Sequence, residues 1–481
     1  MSELDILSLL PLLILAGGIL LIMLMVALRR NHILTFTSTI VVLVASLISV
    51  ILIRREVEVP HALGELFLVD SFGLYYQVLI LLATIVITIF SYISIRNFFT
   101  EKRREEYYLL LLLATLGVVS MVICTHFISF FVSLELLSVS LYTLISYYRE
   151  RTKSIEAGLK YLMLAAMSSS FLLFGMALMY AVSGTMYFHG FATITEVLSI
   201  SSTTILIAGI GMMAVGIGFK LAVVPFHMWT PDVYEGASSP VSAFIATVSK
   251  GAMVAVLLRF FMMADLYRFE NILLVFTVIS ILSMLIGNLL ALLQNNIKRM
   301  LAYSSIAHFG YLLMAVIVGK EIGQEAATFY ISAYMITILG AFGLITIISQ
   351  TDMEASDGNQ YQSLFWRKPF YALIFTILLL SLAGIPLTAG FMGKFFLLKA
   401  GVGNANWLLA FTLVLSSVIG LYYYLRFIVT MMKQNEKIIP VVSLSFASTI
   451  AGISVLTVLG IMVLVLGVSP VWLVEIIHTV F

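Results

Sequence analysis

Long apolar runs, separated by short polar clusters, fill almost the whole of this 481-residue chain. A helix that crosses the hydrocarbon core of a bilayer needs about 20 consecutive apolar residues. By that criterion the pattern predicts fourteen spans, near residues 6–28, 33–53, 72–95, 107–124, 127–147, 155–182, 203–227, 240–263, 271–293, 297–318, 325–350, 368–399, 405–432 and 447–474. The stretch 107–147 is too long for one span, so we divide it at Thr125 and His126. We therefore expect an all-α polytopic membrane protein with about 14 transmembrane helices.

Composition agrees with this class and excludes others. Hydrophobic residues make up 62% of the chain and charged residues only 10%, a composition that excludes a soluble domain of this size. The net charge of +2 provides no basic stripe for nucleic acid. The single cysteine, Cys124, excludes an internal disulfide and a cysteine-ligated cluster built by this chain alone.

The basic residues predict an orientation, because Lys and Arg collect in cytoplasmic loops. Loops after odd-numbered spans carry fifteen basic residues: Arg29, Arg30, Arg96, Lys102, Arg103, Arg104, Arg149, Arg151, Lys153, Lys298, Arg299, Arg367, Lys368, Lys433 and Lys437. The other loops carry four, which are Arg54, Arg55, Arg268 and Lys320. Both termini are thus expected on the outer side, and Arg259, Lys399 and Arg426 lie near span ends from which they can reach water.

Ionisable residues inside the apolar segments are the candidate functional groups. They are Glu135, Lys160, Lys220, Lys250 and Lys394. A charge at the centre of a bilayer costs at least about 2.5–3.5 kcal/mol, so such residues usually face a wet cavity and serve an ion pathway. Lys160 begins only a few residues into its span, which makes it a second-tier candidate with a snorkelling or structural alternative.

Two of the spans contain helix-breaking residues close to a lysine. Pro225 follows Lys220 in the seventh span, and Pro386 precedes Lys394 in the twelfth. Broken helices at corresponding positions in two halves point to an ion site at a repeat interface. Since five spans separate the two lysines, the second unit is expected to be inverted. The expected organisation is an N-terminal three-helix segment (1–106), two inverted five-helix repeats (spans 4–8 within 107–263 and spans 9–13 within 271–432) and a C-terminal helix (447–481).

One motif is specific enough to indicate a family. The stretch Pro225-Phe-His-Met-Trp-Thr-Pro-Asp-Val-Tyr-Glu-Gly-Ala-Ser-Ser-Pro-Val241 resembles the signature of the antiporter-like subunits of respiratory NADH:quinone oxidoreductase, complex I. Its Trp-Thr-Pro-Asp-Val-Tyr variant resembles the N type rather than the L or M types. Further matches are Lys160-Tyr-Leu, Ser304-Ser-Ile-Ala-His308-Phe-Gly-Tyr311, the segment around Lys394 and Tyr422-Tyr-Tyr-Leu-Arg426. The resemblance covers essentially the whole chain.

The resemblance implies a role for each matched residue. Glu135 matches the glutamate of the fifth helix, and Lys220 matches the lysine that pairs with it. Lys250 resembles the central connecting lysine, Lys394 the terminal lysine, and His308 the histidine between them. Lys160, His227 and Ser304 are second-tier candidates: Ser304 is placed to hold a water molecule, and His227 is a possible access residue. Two further interpretations are structural. Asp232 and Glu235 are expected to fix a loop, and the Tyr422–Tyr424 run is interpreted as packing and interface belt.

The resemblance also implies an activity that this chain shares with partners. It implies proton translocation driven by redox chemistry elsewhere, with NAD, FMN, iron–sulfur clusters and quinone on partner subunits and no cofactor or metal in this chain. No Walker A or strand-linked GxGxxG motif is present. Implied partners are neighbouring M-like and K-like membrane subunits, the peripheral redox arm and the lipid bilayer. The implied location is the cell inner membrane, with both termini periplasmic.

Elementary electrostatics shows that such a pump is feasible. Burial disfavours a charged lysine by up to about 3–5 pKa units in general, and a nearby carboxylate opposes this effect. Moving one charge against about 150 mV costs roughly 3.5 kcal/mol, which corresponds to about 2.5 pKa units. Alternatives remain open: a subunit of an Mrp-type cation/proton antiporter, a membrane subunit of a related hydrogenase or dehydrogenase, or an inert scaffold with structural ion pairs.

Overall fold

A computed structural model describes residues 3–57, 59–98, 104–194, 200–349, 354–434 and 446–481. Three of the basic loop residues used to orient the chain, Lys102, Arg103 and Lys437, lie outside these ranges. Within them the chain is helical apart from turns, loops and one antiparallel hairpin, in which strands β1 (His61–Leu63) and β2 (Phe67–Val69) pair His61 with Val69.

The helices follow the apolar runs of the sequence. In chain order they are α1 (Glu3–Ser8), α2 (Leu10–Leu28), α3 (His32–Glu56), α4 (Ser71–Phe98), α5 (Glu106–Met121), α6 (Phe127–Ile145), α7 (Thr152–Ser183), α8 (Gly190–Ile194), α9 (Ile200–Leu221), α10 (Thr230–Gly236), α11 (Ser239–Phe244), α12 (Lys250–Met263), α13 (Glu270–Leu292), α14 (Ile297–Val318), α15 (Lys320–Ile348), α16 (Leu364–Arg367), α17 (Pro369–Ala383), α18 (Ala389–Gly403), α19 (Trp407–Met432), α20 (Phe446–Val468) and α21 (Val471–His478). A π-helical turn, Ile245–Ser249, joins α11 to α12 without a break, and short 3₁₀ turns cover Leu266–Arg268 and Gly358–Tyr361.

Twelve helical segments in the described part of the chain are long and apolar enough to cross a membrane. Two shorter apolar helices, α5 and α17, accompany them. The chain is therefore a polytopic helical membrane protein, while the count of fourteen crossings stays a prediction. The division at Thr125 and His126 is confirmed: α5 ends at Met121, and His126 Nδ1 caps α6 by accepting a hydrogen bond from Ile128 N at 3.1 Å.

Both predicted helix interruptions are present. α9 ends at Leu221, where Ala222 takes a positive φ of 59°, and helix resumes only at α10. α17 ends at Ala383, and Gly384 leaves the helix with φ +84° before α18 begins at Ala389. A proline lies in each gap, where its missing N–H cannot continue the helical hydrogen bonding. The π-helical turn before Lys250 is a third irregularity, which the sequence pattern did not predict.

Ion pairs and hydrogen bonds divide the loops between two faces. On one face, Glu235 after the seventh predicted span binds Lys153 after the fifth at 2.7 Å and Arg299 after the ninth at 3.0 Å. On the other, Asp5 near the N-terminus binds His61 at 3.0 Å, and Thr479 near the C-terminus accepts from Arg54 at 3.1 Å. Loops after odd-numbered spans thus lie together, and the two termini lie with loops of the other set.

The position of Arg259 differs from the expected one near the membrane surface. Arg259 does not extend to water from the end of its helix, since only 3% of it is exposed. Its guanidinium instead forms a bidentate pair with Asp70, at 2.8 and 2.7 Å. A buried arginine needs such a partner because an unpaired charge in a low-dielectric interior is very costly.

Helices α11, α12, α14 and α15 form the centre of the bundle and are buried along nearly their whole length. α14 packs closely on α13 through glycines: a Cβ at Gly287 would lie 2.7 Å from Ala307 N, and one at Gly310 would lie 2.8 Å from Met284 N. In the centre, polar side chains of α12, α14 and α15 meet at Lys250, Ser305 and Tyr334.

Candidate functional site

The first half of the site lies between α6, α7 and α9. Lys220, in the last turn of α9, is 4% exposed, and its Nζ donates to Ser138 Oγ at 2.6 Å. Ser138 lies one turn after Glu135 on α6, and Glu135 Oε1 accepts from Ser169 Oγ at 2.6 Å. The Tyr161 ring lies 5.4 Å from Lys220 Nζ. A direct ion pair between Glu135 and Lys220 is absent from the described contacts, in which Lys220 Nζ donates to Ser138 Oγ and to Tyr161 Oη at 3.4 Å.

Lys250 occupies the centre of the bundle. It is 0% exposed and begins α12 directly after the π-helical turn, an irregularity that is frequent at functional sites. Its Nζ donates to Ser305 Oγ at 2.9 Å, and Tyr334 Oη donates to the same oxygen at 2.8 Å. The Phe309 ring lies 4.7 Å from Nζ, within the range of a cation–π contact. A hydroxyl and an aromatic face therefore surround this lysine.

His308 on α14 lies between two tyrosine hydroxyls. Its Nδ1 is 2.5 Å from Tyr330 Oη on α15, and its Nε2 is 3.3 Å from Tyr424 Oη on α19. A neutral imidazole has one donor and one acceptor nitrogen, and a phenol can act as either. Both tautomers of His308 are thus accommodated, which is what a proton relay requires.

Lys394 on α18 turns back toward the end of the interrupted helix. Its Nζ donates to the carbonyl oxygens of Leu382 at 3.1 Å and Ala383 at 2.9 Å. These are among the last carbonyls of α17, where the helix dipole places partial negative charge. The Tyr311 ring lies 5.3 Å from the same nitrogen. Helix interruption therefore supplies the acceptors for this lysine.

The second-tier residues lie apart from these four groups or contribute less. Lys160 has a side chain that is 44% exposed and pairs with Asp232 at 2.8 Å and Glu156 at 2.7 Å, so it belongs to the surface rather than to the buried site. His227 is buried in the turn between α9 and α10, where its carbonyl accepts from Thr230 N at 3.0 Å. Ser304 is fully buried on α14 and donates to Leu301 O at 3.0 Å.

The loop around Asp232 and Glu235 is held by charge. Burial raises the pKa of each carboxyl, but hydrogen bonds from basic residues outweigh it and hold both pKa values below their ordinary range. The donors are Lys160 and Arg299 for Asp232, and Lys153 and Arg299 for Glu235. The contacts agree with the expected loop-fixing role of these carboxylates.

The tyrosine run of α19 divides between the two expected roles, packing and interface belt. Tyr422 is 63% exposed and suits an interface belt, but Tyr423 and Tyr424 are each only 1% exposed. Tyr424 reaches His308, and Tyr423 Oη donates to Asn288 Oδ1 at 3.0 Å. Hydropathy treats the three residues alike; only the helical spacing, which points adjacent residues about 100° apart, separates the outer one from the inner two.

Several polar residues around the lysines were missed by the sequence reasoning. They are Ser138, Asn288, Ser305, Tyr311, Tyr330, Tyr334 and Tyr424. Ser138 could have been found, because it follows Glu135 by one helical turn. Tyr330 meets His308, and Tyr334 meets the Ser305 that binds Lys250, through packing of α15 on α14, which no local pattern reveals. Among the described residues, no three of His, Cys, Asp or Glu lie together as metal ligands.

Residues 124–420 match the family described as NADH:quinone oxidoreductase/Mrp antiporter, transmembrane. The chain belongs to this family. Within the family, the protein named NADH-quinone oxidoreductase subunit N from Ectopseudomonas mendocina is 43% identical over 98% of this chain and 95% of its own length. The protein of the same name from Methylococcus capsulatus is 42% identical over 89% of this chain and 86% of its own length.

A solved structure of this family agrees. A chain of respiratory complex I from Thermus thermophilus with bound aureothin is 29% identical, with a TM-score of 0.82 over 97% of this chain and 98% of that one. The resemblance to the N type, which rested on the Trp229–Tyr234 stretch, is thus confirmed. In the structure this stretch forms the start of α10, whose Asp232 is paired with Lys160 and Arg299.

Proposed function

We propose that this chain is the N-type, proton-translocating membrane subunit of an NADH:quinone oxidoreductase. Protons move along a polar axis made of Glu135, Lys220, Lys250, His308 and Lys394. Redox chemistry on partner subunits, which hold NAD, FMN, iron–sulfur clusters and quinone, drives the transfer. The names of the relatives and the family match support this assignment.

The main support for the proposal is the chemical type of the hydrogen-bond partner that each buried lysine has. Lys220, Lys250 and Lys394 donate to serine hydroxyls or helix carbonyls, and among the described ion pairs none joins them to a carboxylate. The same chain shows the structural alternative at Lys298, which is fully buried and pairs with Glu354 at 2.9 Å. A carboxylate partner favours the charged form of a lysine, whereas neutral partners leave both protonation states accessible.

The hydroxyl groups beside the axis suit proton transfer. A serine or tyrosine oxygen both accepts and donates hydrogen bonds, so Ser138, Ser305 and Tyr334 can carry a proton or orient water between the ionisable groups. Glu135, near Lys220, favours the charged form of that lysine, and displacement of the carboxylate favours release. A swing of about 2.5 pKa units suffices against about 150 mV, and burial supplies shifts of this size.

Finer features of the proposal extend beyond the axis. We place the axis across two inverted repeats, 107–263 and 271–432, within a bundle of about fourteen crossings, with M-like and K-like subunits as neighbours. The basic loops face the cytoplasm and both termini face the periplasm of the inner membrane, because basic loops stay on the cytoplasmic side. The interruptions at 222–229 and 384–388 correspond in the two repeats.

Lysine substitution in the assembled complex tests the proposal. Lys220→Met and Lys394→Met should lower the number of protons pumped per electron. Lys399→Met is the matched control, since Lys399 lies on the same helix as Lys394 but is exposed. Native purification with NADH:quinone assay establishes assembly for each variant. Unchanged proton-to-electron ratios in both buried-lysine variants would refute the proposal.

A second candidate function belongs to the same family, because the description of the matched family includes Mrp antiporters. The two functions differ in their partners. Native purification from the source membranes should recover this chain with flavin and iron–sulfur subunits and NADH:quinone activity. Recovery with small antiporter subunits and sodium-dependent transport would favour the Mrp function instead.

A further inference from the structure

A polar cavity of about 250 Å³ lies at the face that carries the loops after odd-numbered spans. Its walls come from three places in the second half of the chain: the turn before α14, the segment before α17 and the end of α19. Among the lining residues are Gln294, Asn295, Asp357, Asn359, Arg426 and Tyr423. Arg426 Nη2 donates to Gln294 O at 2.7 Å, which fixes its guanidinium at the cavity wall instead of extending it freely into water.

Tyr423 connects this cavity to the interior. Its Oη donates to Asn288 Oδ1 at 3.0 Å, and Asn288 Nδ2 donates to Tyr311 Oη at 2.9 Å. Asn288 is 1% exposed and Tyr311 is 2% exposed, so these are interior contacts. The Tyr311 ring lies 5.3 Å from Lys394 Nζ. Three hydrogen-bonded side chains therefore lead from the cavity to the terminal lysine of the axis.

A second branch reaches the histidine. The rings of Tyr423 and Tyr424 lie 4.3 Å apart, and Tyr424 Oη is 3.3 Å from His308 Nε2. Tyr311 lies about 20 Å along α14 from its first residue at about 1.5 Å per residue, and the hydrocarbon core is about 30 Å thick. The two branches thus extend from one membrane face to about the middle of the hydrocarbon core, which lies about 15 Å from either face.

Gly420 keeps the junction open. A Cβ at this position of α19 would lie 3.1 Å from Asn288 Oδ1 and 3.6 Å from Tyr423 Oη. The first distance is tighter than an ordinary contact, so any side chain here would press on the Asn288–Tyr423 hydrogen bond. The helix therefore carries its smallest residue one turn from the tyrosine at the cavity base.

We infer that this cavity is the aqueous access route for protons to the second half of the axis, with Tyr423 and Tyr424 as relays and Asn288 as a positioning residue. The inference rests on the proposed function and names the path of that same site. Tyr423 Oη accepts a proton from water in the cavity and releases its own to Tyr424 Oη, and Tyr424 in turn releases its own to His308 Nε2. One bond to hydrogen forms as another breaks, and no electron is transferred. The Asn288 amide holds Tyr423 and Tyr311 in place but releases no proton itself.

Chemical access tests the cavity without reference to pumping. Thr430 lines the cavity, whereas the adjacent Val429 is 53% exposed on the outer surface of the helix. In membrane vesicles of the intact complex, Thr430→Cys should react several-fold faster than Val429→Cys with a membrane-impermeant cationic methanethiosulfonate, because only a hydrated thiol forms the reactive thiolate. The native Cys124 is 0% exposed and gives the blank. Equal rates for the two cysteines would overturn the inference.

Removal of single polar groups tests the route itself. Tyr423→Phe and Asn288→Leu should lower the proton-to-electron ratio and raise the solvent deuterium isotope effect on NADH oxidation, because proton access becomes slower. Tyr422→Phe, one residue away and 63% exposed, is the matched control. A purely structural role would leave the isotope effect unchanged. If Tyr423→Phe assembles normally and matches Tyr422→Phe in both measurements, the route is wrong.

The two proposals fail in different ways. If Lys220→Met and Lys394→Met both leave pumping unchanged, the proposed function fails, whatever the cysteine reactivity. If Lys394→Met lowers pumping but Tyr423→Phe and Asn288→Leu do not, the function stands and the access route is overturned. Gly420→Ala gives a further variant in which every polar group remains; it should reproduce the Asn288→Leu effect in weaker form. Its matched control is Gly211→Ala, where no atom lies within 4 Å of the added carbon.

Discussion

Gly384 links the interruption of α17 to the position of Lys394, and its replacement by alanine has a calculable effect. Its φ of +84° is unfavourable for any residue with a Cβ, at a cost of about 1–2 kcal/mol. The added carbon would also lie 2.9 Å from Lys394 Cδ and 3.1 Å from Nζ. Because these atoms end a flexible side chain, they can move away, but the ammonium then loses at least one of its two carbonyl hydrogen bonds.

The displaced ammonium adds a second cost. A hydrogen bond to a charged group contributes about 1.5–3 kcal/mol. Gly384→Ala should thus destabilise the protein by about 2.5–5 kcal/mol, and should lower proton pumping because Lys394 is moved. Gly184→Ala provides the control: Gly184 ends α7 with φ +67°, yet no atom lies within 4 Å of the added carbon. Gly184→Ala should lower the stability only by the backbone cost of about 1–2 kcal/mol and should leave proton pumping unchanged.

The assay compares the temperature at which each variant chain is lost from the purified complex, followed on native gels, together with the proton-to-electron ratio. Lys394→Ala removes the atoms that collide, so the excess cost of Gly384→Ala over Gly184→Ala should disappear in that background. Contacting residues typically show such coupling energies of about 0.5–3 kcal/mol. Equal behaviour of the two glycine variants, or an unchanged excess in the Lys394→Ala background, would refute the reasoning.

Three further outcomes are expected. Ser138→Ala removes the acceptor of Lys220 and should cost about 1.5–3 kcal/mol with reduced pumping, whereas Ser140→Ala, whose hydroxyl bonds only its own helix, should do neither in the same two assays. Lys298→Met removes the nearest cation from the buried Glu354, which keeps its hydrogen bond from Ser239 N and the more distant Arg151 at 3.7 Å. This should cost about 3 kcal/mol, the lower end of the range for a broken buried pair. Adding Glu354→Gln should partly restore the thermal midpoint, and no recovery contradicts the pairing. Asp232 and Glu235 have lowered folded pKa values, so their stabilisation is complete above the ordinary carboxyl pKa of about 4 and is lost as pH falls through the lower folded values. Because both carboxylate side chains are partly exposed, Arg299→Gln should remove at most about 1 kcal/mol of this stabilisation. The thermal midpoint of the variant should then depend less on pH and salt than that of the native protein.

Hydrophobic periodicity predicted helix positions well because a bilayer imposes a nearly fixed length on each apolar run. The predicted span 33–53 corresponds to α3, and 297–318 to α14 with identical bounds. Proline and glycine predicted the gap before Ala389 for a local reason, since both act on the backbone of their own turn. The hairpin of β1 and β2 was missed, because its strands of three residues carry no alternation long enough to detect.

Burial of single side chains was less predictable, since it depends on neighbouring helices. Lys160 and Lys220 both lie in apolar runs, yet the first is surface-exposed and paired with acids, while the second is buried beside a serine. Arg259 was expected at the surface and lies in the core, because its partner Asp70 is distant in sequence. Hydropathy averages over a window and cannot report which side of a helix faces another helix. Lys160 differs from Lys220 in forming direct ion pairs with carboxylates, and this difference exists only in the folded protein.

The two halves of the proposed axis use different sources of negative charge. In the first, Glu135 lies one turn from the serine that binds Lys220, so movement of one carboxylate side chain can alter the field at the lysine. In the second, Lys394 binds the carbonyl end of α17, whose dipole corresponds to roughly half an elementary charge. That charge belongs to a backbone and cannot rotate away. The field at Lys394 therefore changes either when its own flexible side chain moves or when α17 and α18 shift relative to each other across residues 384–388, where Gly384 and Leu387 have positive φ values.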